Sequence, residues 1–560
     1  MCTIGSFPHH CLIALSCLLV TDRLAGQNTV GLIHYDPDMV DGYFLFFPDQ
    51  QGTVFLVNAC GQLVHSWPDT VSVPGNSVRL GANGTLLRTY VDEAGGNPFF
   101  TAGGNGEHLQ LKAWDNTVLW DHTISSATEC MHHDVELMPN GNMLAIVWEL
   151  KTAQEAWDAG RDTVGYGFST LWPEKIVELE PIGPDSAHVV WEWHVWDHLV
   201  QDFNPNAANH GVVAEHPELV DINAVYTQNI NPDWLHINSV DYNPALDQIL
   251  LSVPFLHEVW VIDHSTTTLE AAGHTGGVSG RGGDLLYRWG NPGIYDQGGP
   301  ADRDLYFNHA ASWVGPGLDP NDPDVGKIMV FNNRVGPDFS AVDIFTPPVD
   351  ANGHYTYVPG TAFGPLDRDA RYMTADPPDL YSPGQGSGQK LPNGNVLAAS
   401  GRQGWMVQLR PDSTQAWSYV VPMQDGIPVD QGTVLQANTI IFQAEWIGPN
   451  DPRLQGLVLD PIGHIETQPN VQFCVLNVST THPATDGRPV VVVADGTRLA
   501  VEVAVAMHAL IVDATGRTVA RELLVAGRNE LRTAHLRPGT YTLVPLSTGA
   551  RPVRFALVEP

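Results

Sequence analysis

A two-hairpin unit repeats six times along the chain, and this repeat constrains the fold more than any other feature of the sequence. In each unit, a segment that ends in an aromatic residue is followed, after an insertion of variable length, by a hairpin centred on a turn. The first two units combine LVHSW (63–67) with VRLGANGTLLRTY (78–90), and TVLW (117–120) with VELMPNGNMLAIVW (135–148). Asn-Gly between alternating apolar residues is a strong hairpin signal, because both residues tolerate the positive φ of a type I′ turn.

Four further units follow the same order with other insertions. They are HVVWEW (188–193) with VDYNPALDQILLSV (240–253), LLYRW (285–289) with ASWVG and KIMVFNN (311–333), HYTYV (354–358) with QKLPNGNVLAAS (389–400), and QAWSYV (415–420) with TVLQANTIIFQA (433–444). Each unit supplies about four strands. Six such units predict an all-β fold, a six-bladed β-propeller, because radial closure removes the exposed sheet edges of a linear array. A pair of β-sandwiches with coincidental turns is the alternative.

The two ends of the chain differ from the repeats between them. Residues 11–20, CLIALSCLLV, form an apolar run of signal-peptide length, and LAG at 24–26 offers a cleavage site, so 1–26 is predicted to be a signal peptide. Residues 27–470 contain the propeller. From 474 to 560 the strands alternate with a period of two between closely spaced turns, which predicts a small C-terminal β-sandwich. No later stretch approaches the roughly 20 apolar residues of a membrane helix, so no membrane span is expected.

The net charge bears on the possible partners of the protein, and the cysteine content bears on possible disulfides and zinc motifs. The chain carries 62 acidic and 27 basic side chains, a formal charge of −35. This charge repels a phosphate backbone, so nucleic acid is not expected as a partner. Three of the six cysteines lie in the predicted signal peptide, and Cys60, Cys130 and Cys474 remain. Three widely spaced thiols form neither a zinc motif nor a disulfide framework, so at most one bridge is expected.

Six segments carry a resemblance to a known family. They are HHDVELMPNGN (132–142), WEWHVWDHLVQDF (191–203), DWLHINSVDYNPALDQILLSV (233–253), EVWVIDHSTTTLEAAGHTGG (258–277), GGDLLYRWGNP (282–292) and SGQKLPNGNVL (387–397). Over residues 29–447 the chain resembles the secreted bacterial aryl-sulfate sulfotransferases. The resemblance implies a six-bladed propeller that moves a sulfuryl group from a phenolic sulfate ester to a phenolic acceptor. It implies a histidine nucleophile and neither a nucleotide sulfate donor nor any other cofactor.

The C-terminal segment resembles a second family. VDATGRTV (512–519), NELRTAHLRPGTYTLV (529–544) and the closing FALVEP are similar to the C-terminal sorting domain of type IX secretion. This similarity implies the type IX secretion machinery as a partner. It also implies a secreted or cell-surface protein that is exported through the periplasm.

The family resemblance also implies the residues of the site. The expected catalytic residues are His236, His309 and Arg334, and the expected substrate-binding residues are His132, His133 and Asn238. One of the two adjacent histidines would face the channel, since neighbours on a strand alternate. Asp134 would orient an imidazole. Asn238 would share a face with His236 if that segment is extended, and could then donate to a sulfate oxygen.

The position of the nucleophile is an open question in the sequence. By order along the chain, the family's sulfated histidine is expected within residues 380–395, where no histidine occurs. In addition, Ala310 and Ala311 follow His309, where relatives carry polar residues. Either His309 or His236 takes the role, or the chain is a catalytically inactive propeller that binds sulfated or phenolic ligands at the cell surface. A quinone-dependent dehydrogenase on a similar propeller is disfavoured, because the long motifs match sulfotransferases.

One further histidine pair has the spacing of metal ligands. His194 and His198 would lie one turn apart on a helix, with Asp197 and Asp202 nearby. The HExxH pattern and its third ligand are absent. The sequence therefore predicts a structural cluster of aromatic and polar side chains here, and no metal.

Overall fold

The computed structural model describes most of the chain between residue 28 and residue 557. Outside the description are residues 1–27, 93–95, 163–167, 225–230, 316, 376–378, 438, 472–473, 475–489 and short segments between the strands beyond 490. The predicted signal peptide therefore lies outside the described residues. No helix in the described part of the chain has both the length and the apolar character needed to span a membrane.

Six antiparallel sheets form the blades of a β-propeller. From the innermost strand outward, blade 1 contains Ile441–Ile447, Tyr43–Pro48, Val54–Asn58 and Leu63–Trp67; blade 2 Val73–Leu80, Leu86–Val91, His108–Lys112 and Val118–Thr123; blade 3 Glu129–Leu137, Met143–Glu149, Glu174–Ile182 and Ser186–His194; blade 4 Ser239–Asn243, Gln248–Val253, Glu258–Asp263 and Tyr287–Trp289; blade 5 His309–Trp313, Ile328–Asn332, Ala341–Phe345 and Ala370–Tyr372; and blade 6 Ser387–Lys390, Val396–Ser400, Trp405–Leu409, Gln415–Val420 and Gly31–Tyr35.

Two long-range strand pairings close the ring. Ile441–Ile447 pairs with Tyr43–Pro48, so blade 1 combines strands from opposite ends of the propeller sequence. Gly31–Tyr35 pairs with Gln415–Val420 and adds a fifth strand to blade 6. The six innermost strands contact one another in order around a central channel. The six-bladed propeller predicted from the repeats is therefore confirmed, and closure leaves few free sheet edges.

The repeat in the sequence is offset from the blades. The aromatic-ended segments of the early units are the outermost strands of one blade, and each following hairpin begins the next blade. Two predicted strands are wrong. Residues 354–358 lie in a connection where Tyr355 stacks on Tyr287 at 4.9 Å, and the outermost strand of blade 5 is instead Ala370–Tyr372. The predicted hairpin at 433–444 contributes only the start of Ile441–Ile447, because that strand pairs with blade 1.

Short elements lie in the connections. The α-helices are Ala153–Asp158 and Thr268–Ala271. The 3₁₀ helices are Ala82–Gly84, Val195–Asp197, Val213–Glu215, Pro292–Tyr295, Pro300–Asp302, Gly401–Gln403 and Pro452–Leu454. The two-residue strand pairs are Lys151–Thr152 with Thr170–Leu171, Leu199–Val200 with Val220–Asp221, and Met423–Gln424 with Ile427–Pro428.

Large aromatic side chains pack neighbouring blades together. Phe44 of blade 1 stacks on Trp417 of blade 6 with ring centroids 4.1 Å apart, and both rings are fully buried. Blade 4 also buries a charge pair, in which Arg288 donates to Glu258 at 2.6 Å. The Arg288 guanidinium lies over the Tyr295 ring, 4.4 Å from its centroid. Burial of the apolar faces between sheets is the main stabilising term of such a fold.

Two further polar features stabilise the propeller. Cys60 and Cys474 form a disulfide, which confirms the expected limit of one bridge, while Cys130 is buried as a free thiol. Between blades 3 and 4, His264 bonds to Asp247 at 2.7 Å and to Glu178 at 3.1 Å. Burial opposes protonation of His264, but these two carboxylates outweigh it and raise its pKa to about 9.

The C-terminal segment forms two packed sheets. The first contains Val490–Ala494, Arg498–Val503 and Gly527–Arg532, and the second Thr518–Leu524, Met507–Asp513, Gly539–Pro545 and Val553–Leu557. Apolar side chains of both sheets, such as Val501 and Ile511, pack in one buried cluster. The predicted C-terminal β-sandwich is therefore confirmed.

Candidate active site in the central channel

Three of the predicted site histidines meet where the innermost strands begin. The rings of His133 and His236 are 4.4 Å apart between centroids. The ring of Phe442 lies near both His133 and His309, with centroids 5.9 Å from His133 and 6.3 Å from His309. His132 lies behind this layer and stacks on Trp148 at 3.7 Å. Of the adjacent pair, His133 is thus the residue that faces the other site histidines.

Unusual backbone conformations turn these side chains toward the channel. His133, His236, Phe307, Ala310 and Gln385 all have positive φ, between 47° and 65°. The strand of His133 carries a bulge opposite the Ala145–Ile146 step, and the strand of His309 a bulge before Ser312. A bulge redirects side chains at the end of a strand. Left-handed conformations at non-glycine residues cluster at functional sites, because they are retained only where the surroundings enforce them.

His236 has the geometry of a nucleophile. Its Nδ1 donates to Oδ2 of Asp233, and Oδ1 of the same carboxylate accepts from Trp148 Nε1 at 3.1 Å. The Asp233 side chain is 1% exposed, whereas that of His236 is 12% exposed. A carboxylate on Nδ1 fixes the proton there and leaves the lone pair on Nε2. Within the described residues, no hydrogen bond reaches Nε2 of His236.

A hydrogen bond joins the two adjacent histidines. Nδ1 of His132 and Nδ1 of His133 are 2.7 Å apart, and burial together with the neighbouring His236 holds the pKa of both well below the usual range. Nε2 of His132 is buried without a partner among the described residues. A buried N–H is left unpaired more rarely than a buried acceptor. We therefore assign the donated proton to His132, which leaves His133 with an N–H at Nε2.

His309 is bound at both ring nitrogens. Asn333 donates to two carbonyl groups, those of Ser382 and Gln385, so its Oδ1 accepts from His309 Nδ1 at 2.8 Å. Nε2 of His309 accepts the backbone N–H of Gln385 at 3.1 Å. Burial lowers the pKa of His309 to about 3, against the opposing effect of the Asn333 bond. The nucleophilic lone pair of His309 is thus occupied, unlike that of His236.

Arg334 places a cation beside His309. Its Nε donates to the carbonyl of Pro383 at 2.8 Å, and its guanidinium lies 3.9 Å from the centroid of Phe307. Burial, together with the charges of Arg303 and Arg334, lowers the pKa of His257 to about 3. His257 accepts the N–H of Phe307 at 2.9 Å. The site therefore combines a fixed cation with neutral imidazoles.

Two other expectations differ from the structure. Asp134 does not orient an imidazole: it accepts from Arg79 at 2.9 Å and from Ser77 at 2.6 Å, because the bulge turns it toward blade 2. Asn238 donates to the carbonyl of Asn308 at 2.9 Å and is fully buried. The segment before it is not extended, since His236 has positive φ, so the condition for a shared face is not met. A substrate-binding role of Asn238 stays a prediction.

Aromatic rings lie close to the His236 imidazole and form an aromatic surface beside it. Phe255 stacks on the His236 ring at 4.6 Å, and Phe307 lies 5.8 Å from Phe255. Phe442 completes this surface on the side of His133. Aromatic rings pack well against flat aromatic ligands. The chemistry around His236 therefore suits an aryl group next to an anion.

The opposite mouth of the channel is a separate cavity of about 1120 Å³. Its lining includes Arg79, Glu136, Asp241, Trp313 and Trp446, but none of the site histidines. Burial raises the pKa of Glu136 to about 8 and that of Asp241 to about 6. The raised pKa values favour the uncharged form of both carboxyls, and the cations Arg79, Lys390 and Arg453 also line this cavity.

Comparison with known proteins identifies the class. The family model for arylsulfotransferase (ASST) matches residues 117–416. That range is 300 of 560 residues, more than half of the chain. The protein therefore belongs to the arylsulfotransferase family, a class of sulfuryl-transfer enzymes. No curated protein matches the sequence.

Solved structures with distant similarity were also found. A protein of unknown function from Bacteroides caccae is 11% identical, with a TM-score of 0.38, over 73% of this chain and 99% of that one. The β-propeller domain of Cps50 (Swd1) from Myceliophteria thermophila is 10% identical, with a TM-score of 0.34, over 71% and 89%. Virginiamycin B lyase from Staphylococcus aureus is 8% identical, with a TM-score of 0.30, over 70% and 88%.

Several site residues were not predicted from the sequence. Asp233 precedes His236 by three residues, so the DWLH motif contained the only local signal for the pair. Gln385 and Phe442 approach the site from blades 6 and 1. Gln385 lies in the segment where the family's sulfated histidine was expected, but no local pattern marks Phe442. The condition that His194 and His198 share a helix is not met, since His194 ends the strand Ser186–His194 and His198 follows the 3₁₀ helix Val195–Asp197.

Proposed function

We propose that the protein transfers a sulfuryl group from a phenolic sulfate ester to a phenolic acceptor through a sulfohistidine at His236. The observation that carries this assignment is the hydrogen-bond pattern of His236: Asp233 holds Nδ1, while Nε2 remains available next to the aromatic surface. His309 is the weaker candidate, because its Nε2 already accepts from the Gln385 amide. Family membership supplies the class of reaction.

The first step forms the S–N bond. The lone pair on Nε2 of His236 attacks sulfur, and the bond between sulfur and the phenolic oxygen breaks with its electron pair going to the phenoxide. The imidazolium that forms keeps its Nδ1 proton against Asp233. In the second step, the oxygen of the acceptor phenol attacks sulfur, the S–N bond breaks with its electron pair returning to Nε2, and the proton of the acceptor passes to the phenoxide released in the first step. His236 returns to its starting state.

Two groups suit the sulfate oxygens in this scheme. The His133 ring, with its N–H at Nε2, lies 4.4 Å from the His236 ring between centroids, and Arg334 supplies a positive charge near His309. Fixed donors in a site of low dielectric stabilise the charge of a transition state more strongly than water does. Burial keeps the pKa of His133 and of His309 below the usual range, so both of these imidazoles are neutral in the site.

Intact-protein mass spectrometry tests the nucleophile. The protein is mixed with excess 4-nitrophenyl sulfate at neutral to alkaline pH, and phenol is then added. We expect a sulfuryl adduct that disappears with phenol, is absent from His236→Ala and is retained by His309→Ala. An adduct that persists in His236→Ala but not in His309→Ala would reassign the nucleophile to His309.

One observation favours a second function, ligand binding without transfer. Gln385 occupies the segment where the family's sulfated histidine is expected, and its backbone N–H donates a hydrogen bond to Nε2 of His309, which occupies that lone pair. In that case the wild-type protein forms no adduct and releases no nitrophenol, while Gln385→His gains both. A binding propeller would still retain a phenolic sulfate at the channel, which equilibrium dialysis measures.

We propose in addition that the protein is exported through the periplasm and that its C-terminal sandwich is recognised by the type IX secretion machinery. The sequence similarity at 512–519 and 529–544 supports this assignment. A deletion of 475–560, which keeps Cys474 and its disulfide to Cys60, should leave the propeller inside a host that has this machinery, while the full chain reaches the surface or medium. Equal export of both forms would contradict the proposal.

A further inference from the structure

A cluster of ligating side chains lies on the outer rim of the propeller, away from the channel. His198 follows the outermost strand of blade 3, and Asp284 precedes the outermost strand of blade 4. Oδ1 of Asp284 is 2.9 Å from Nδ1 of His198 and 2.7 Å from Nδ1 of His274. We propose that these three residues bind a divalent transition metal, with Zn²⁺ as the best match, and that the ion links blades 3 and 4.

The surroundings of His198 support a metal more directly than the spacing does. The residue is fully buried, and its Nε2 lies 2.8 Å from the carbonyl oxygen of Ala271. Both ring nitrogens therefore face oxygen acceptors, but a neutral imidazole has only one N–H. A metal on Nδ1 satisfies both positions, because Nε2–H then donates to the carbonyl. Metal-bound histidines usually donate their second nitrogen to such a carbonyl or carboxylate.

The scaffold around the cluster is closely packed. Trp193 stacks on the His198 ring at 5.7 Å, and its Nε1 donates to the carbonyl of Gly283 at 2.7 Å. A Cβ atom at position 283 would collide with His198 and with Ala271. Glycine is therefore required there for the blade 4 segment to approach His198. This packing fixes His198 and Asp284 in place before any ligand binds.

The donor set and the exposure indicate the type of ion. Two imidazole nitrogens and one carboxylate oxygen, all within 4.8 Å of one another, match the three protein ligands of a tetrahedral Zn²⁺ site with one open position. The side chain of His274 is 61% exposed, so water has access to that position. His198 and Asp284 flank the outermost strands of their blades, three strand spacings of about 4.8 Å from the innermost strands that contain His133 and His309.

Metal titration of the full-length protein tests the proposal. The protein is freed of metal with a chelator, desalted and titrated with Zn²⁺, and bound zinc and thermal unfolding are measured. We expect one equivalent bound in the wild type, with a higher melting temperature. His274→Ala should weaken binding by more than the roughly 10- to 100-fold that loss of an outer-shell partner costs. Because His274 is exposed, this variant should fold.

Two variants control for other histidines. His188→Ala removes an exposed histidine near Glu180. His188 lies on Ser186–His194, the outermost strand of blade 3, which precedes His198, and the variant should bind zinc like the wild type. His236→Ala tests the channel. Zinc binding that is lost in His236→Ala but retained in His274→Ala would place the ion in the channel and overturn the proposal. Absence of stoichiometric zinc in the wild type would also overturn it.

Discussion

Replacing Asp233 with asparagine tests how the nucleophile is prepared. Both oxygens of Asp233 accept hydrogen bonds, Oδ1 from Trp148 and Oδ2 from His236. Asparagine offers one oxygen and one amino group, and the indole N–H can only donate. The oxygen therefore stays toward Trp148, and the amino group faces His236. Nδ1 of His236 must then accept, so its proton moves to Nε2 and the attacking lone pair is lost.

The size of the effect follows from the bonds that change. A hydrogen bond to a charged partner contributes about 1.5–3 kcal/mol, and the wrong tautomer in a comparable Asp–His pair lowers turnover about 10⁴-fold. For Asp233→Asn we expect a decrease of roughly 10²- to 10⁴-fold in sulfuryl transfer. At about 1.36 kcal/mol for each factor of ten, this is roughly 2.7–5.4 kcal/mol in the barrier.

The assay is nitrophenol release from 4-nitrophenyl sulfate with phenol as acceptor, alongside thermal unfolding to confirm folding. Trp148→Phe added to Asp233→Asn removes the competing indole N–H. The asparagine oxygen is then free to accept from Nδ1 of His236, so we expect the double variant to regain part of the activity. Activity of Asp233→Asn within about threefold of the wild type, less than one kcal/mol of barrier, would refute the proposed orientation of His236.

Three further predictions concern stability. Gly104→Ala should lower the free energy of unfolding by about 1–3 kcal/mol, because the residue has positive φ and a Cβ would collide with the ring of His133. The matched control is Gly103→Ala, since a Cβ at position 103 would meet no atom within 4 Å. Arg288→Met should cost about 3–5 kcal/mol in chemical denaturation, since it leaves Glu258 charged and buried, and Glu258→Gln in addition should recover part of this loss. The raised pKa of His264 predicts a stabilising contribution that is complete below pH 6.5 and lost as pH rises toward 9; His264→Gln should lack this dependence.

Each of these has a contradicting outcome. Equal melting temperatures for the two glycine variants would show that the contact at position 104 relaxes without strain. If adding Glu258→Gln to Arg288→Met lowers the free energy of unfolding further, the unpaired charge of Glu258 is not the cause of the destabilisation by Arg288→Met. Identical pH profiles for the wild type and the His264 variant, measured between pH 6 and 9, would rule out a protonated His264 in the folded state.

The repeat of aromatic-ended strands and Asn-Gly hairpins was enough to predict the propeller. The signal is local, because turn chemistry and alternation depend on neighbouring residues. The strand at 354–358 was predicted wrongly for the same reason: local composition does not show that Tyr355 packs on Tyr287, 68 residues away in the chain, rather than joining a sheet. Ring closure between Ile441–Ile447 and Tyr43–Pro48 was equally invisible in local patterns.

The sequence by itself determined which histidines to consider, but the tertiary structure decided what each can do. His236 and His309 both follow from the motifs. Their difference comes from partners on other blades: Trp148 positions the carboxylate beside His236, whereas the backbone of Gln385, 76 residues from His309, occupies its Nε2. The nucleophilicity of an imidazole depends on which nitrogen is protonated, and that depends on hydrogen bonds formed only after the blades pack together.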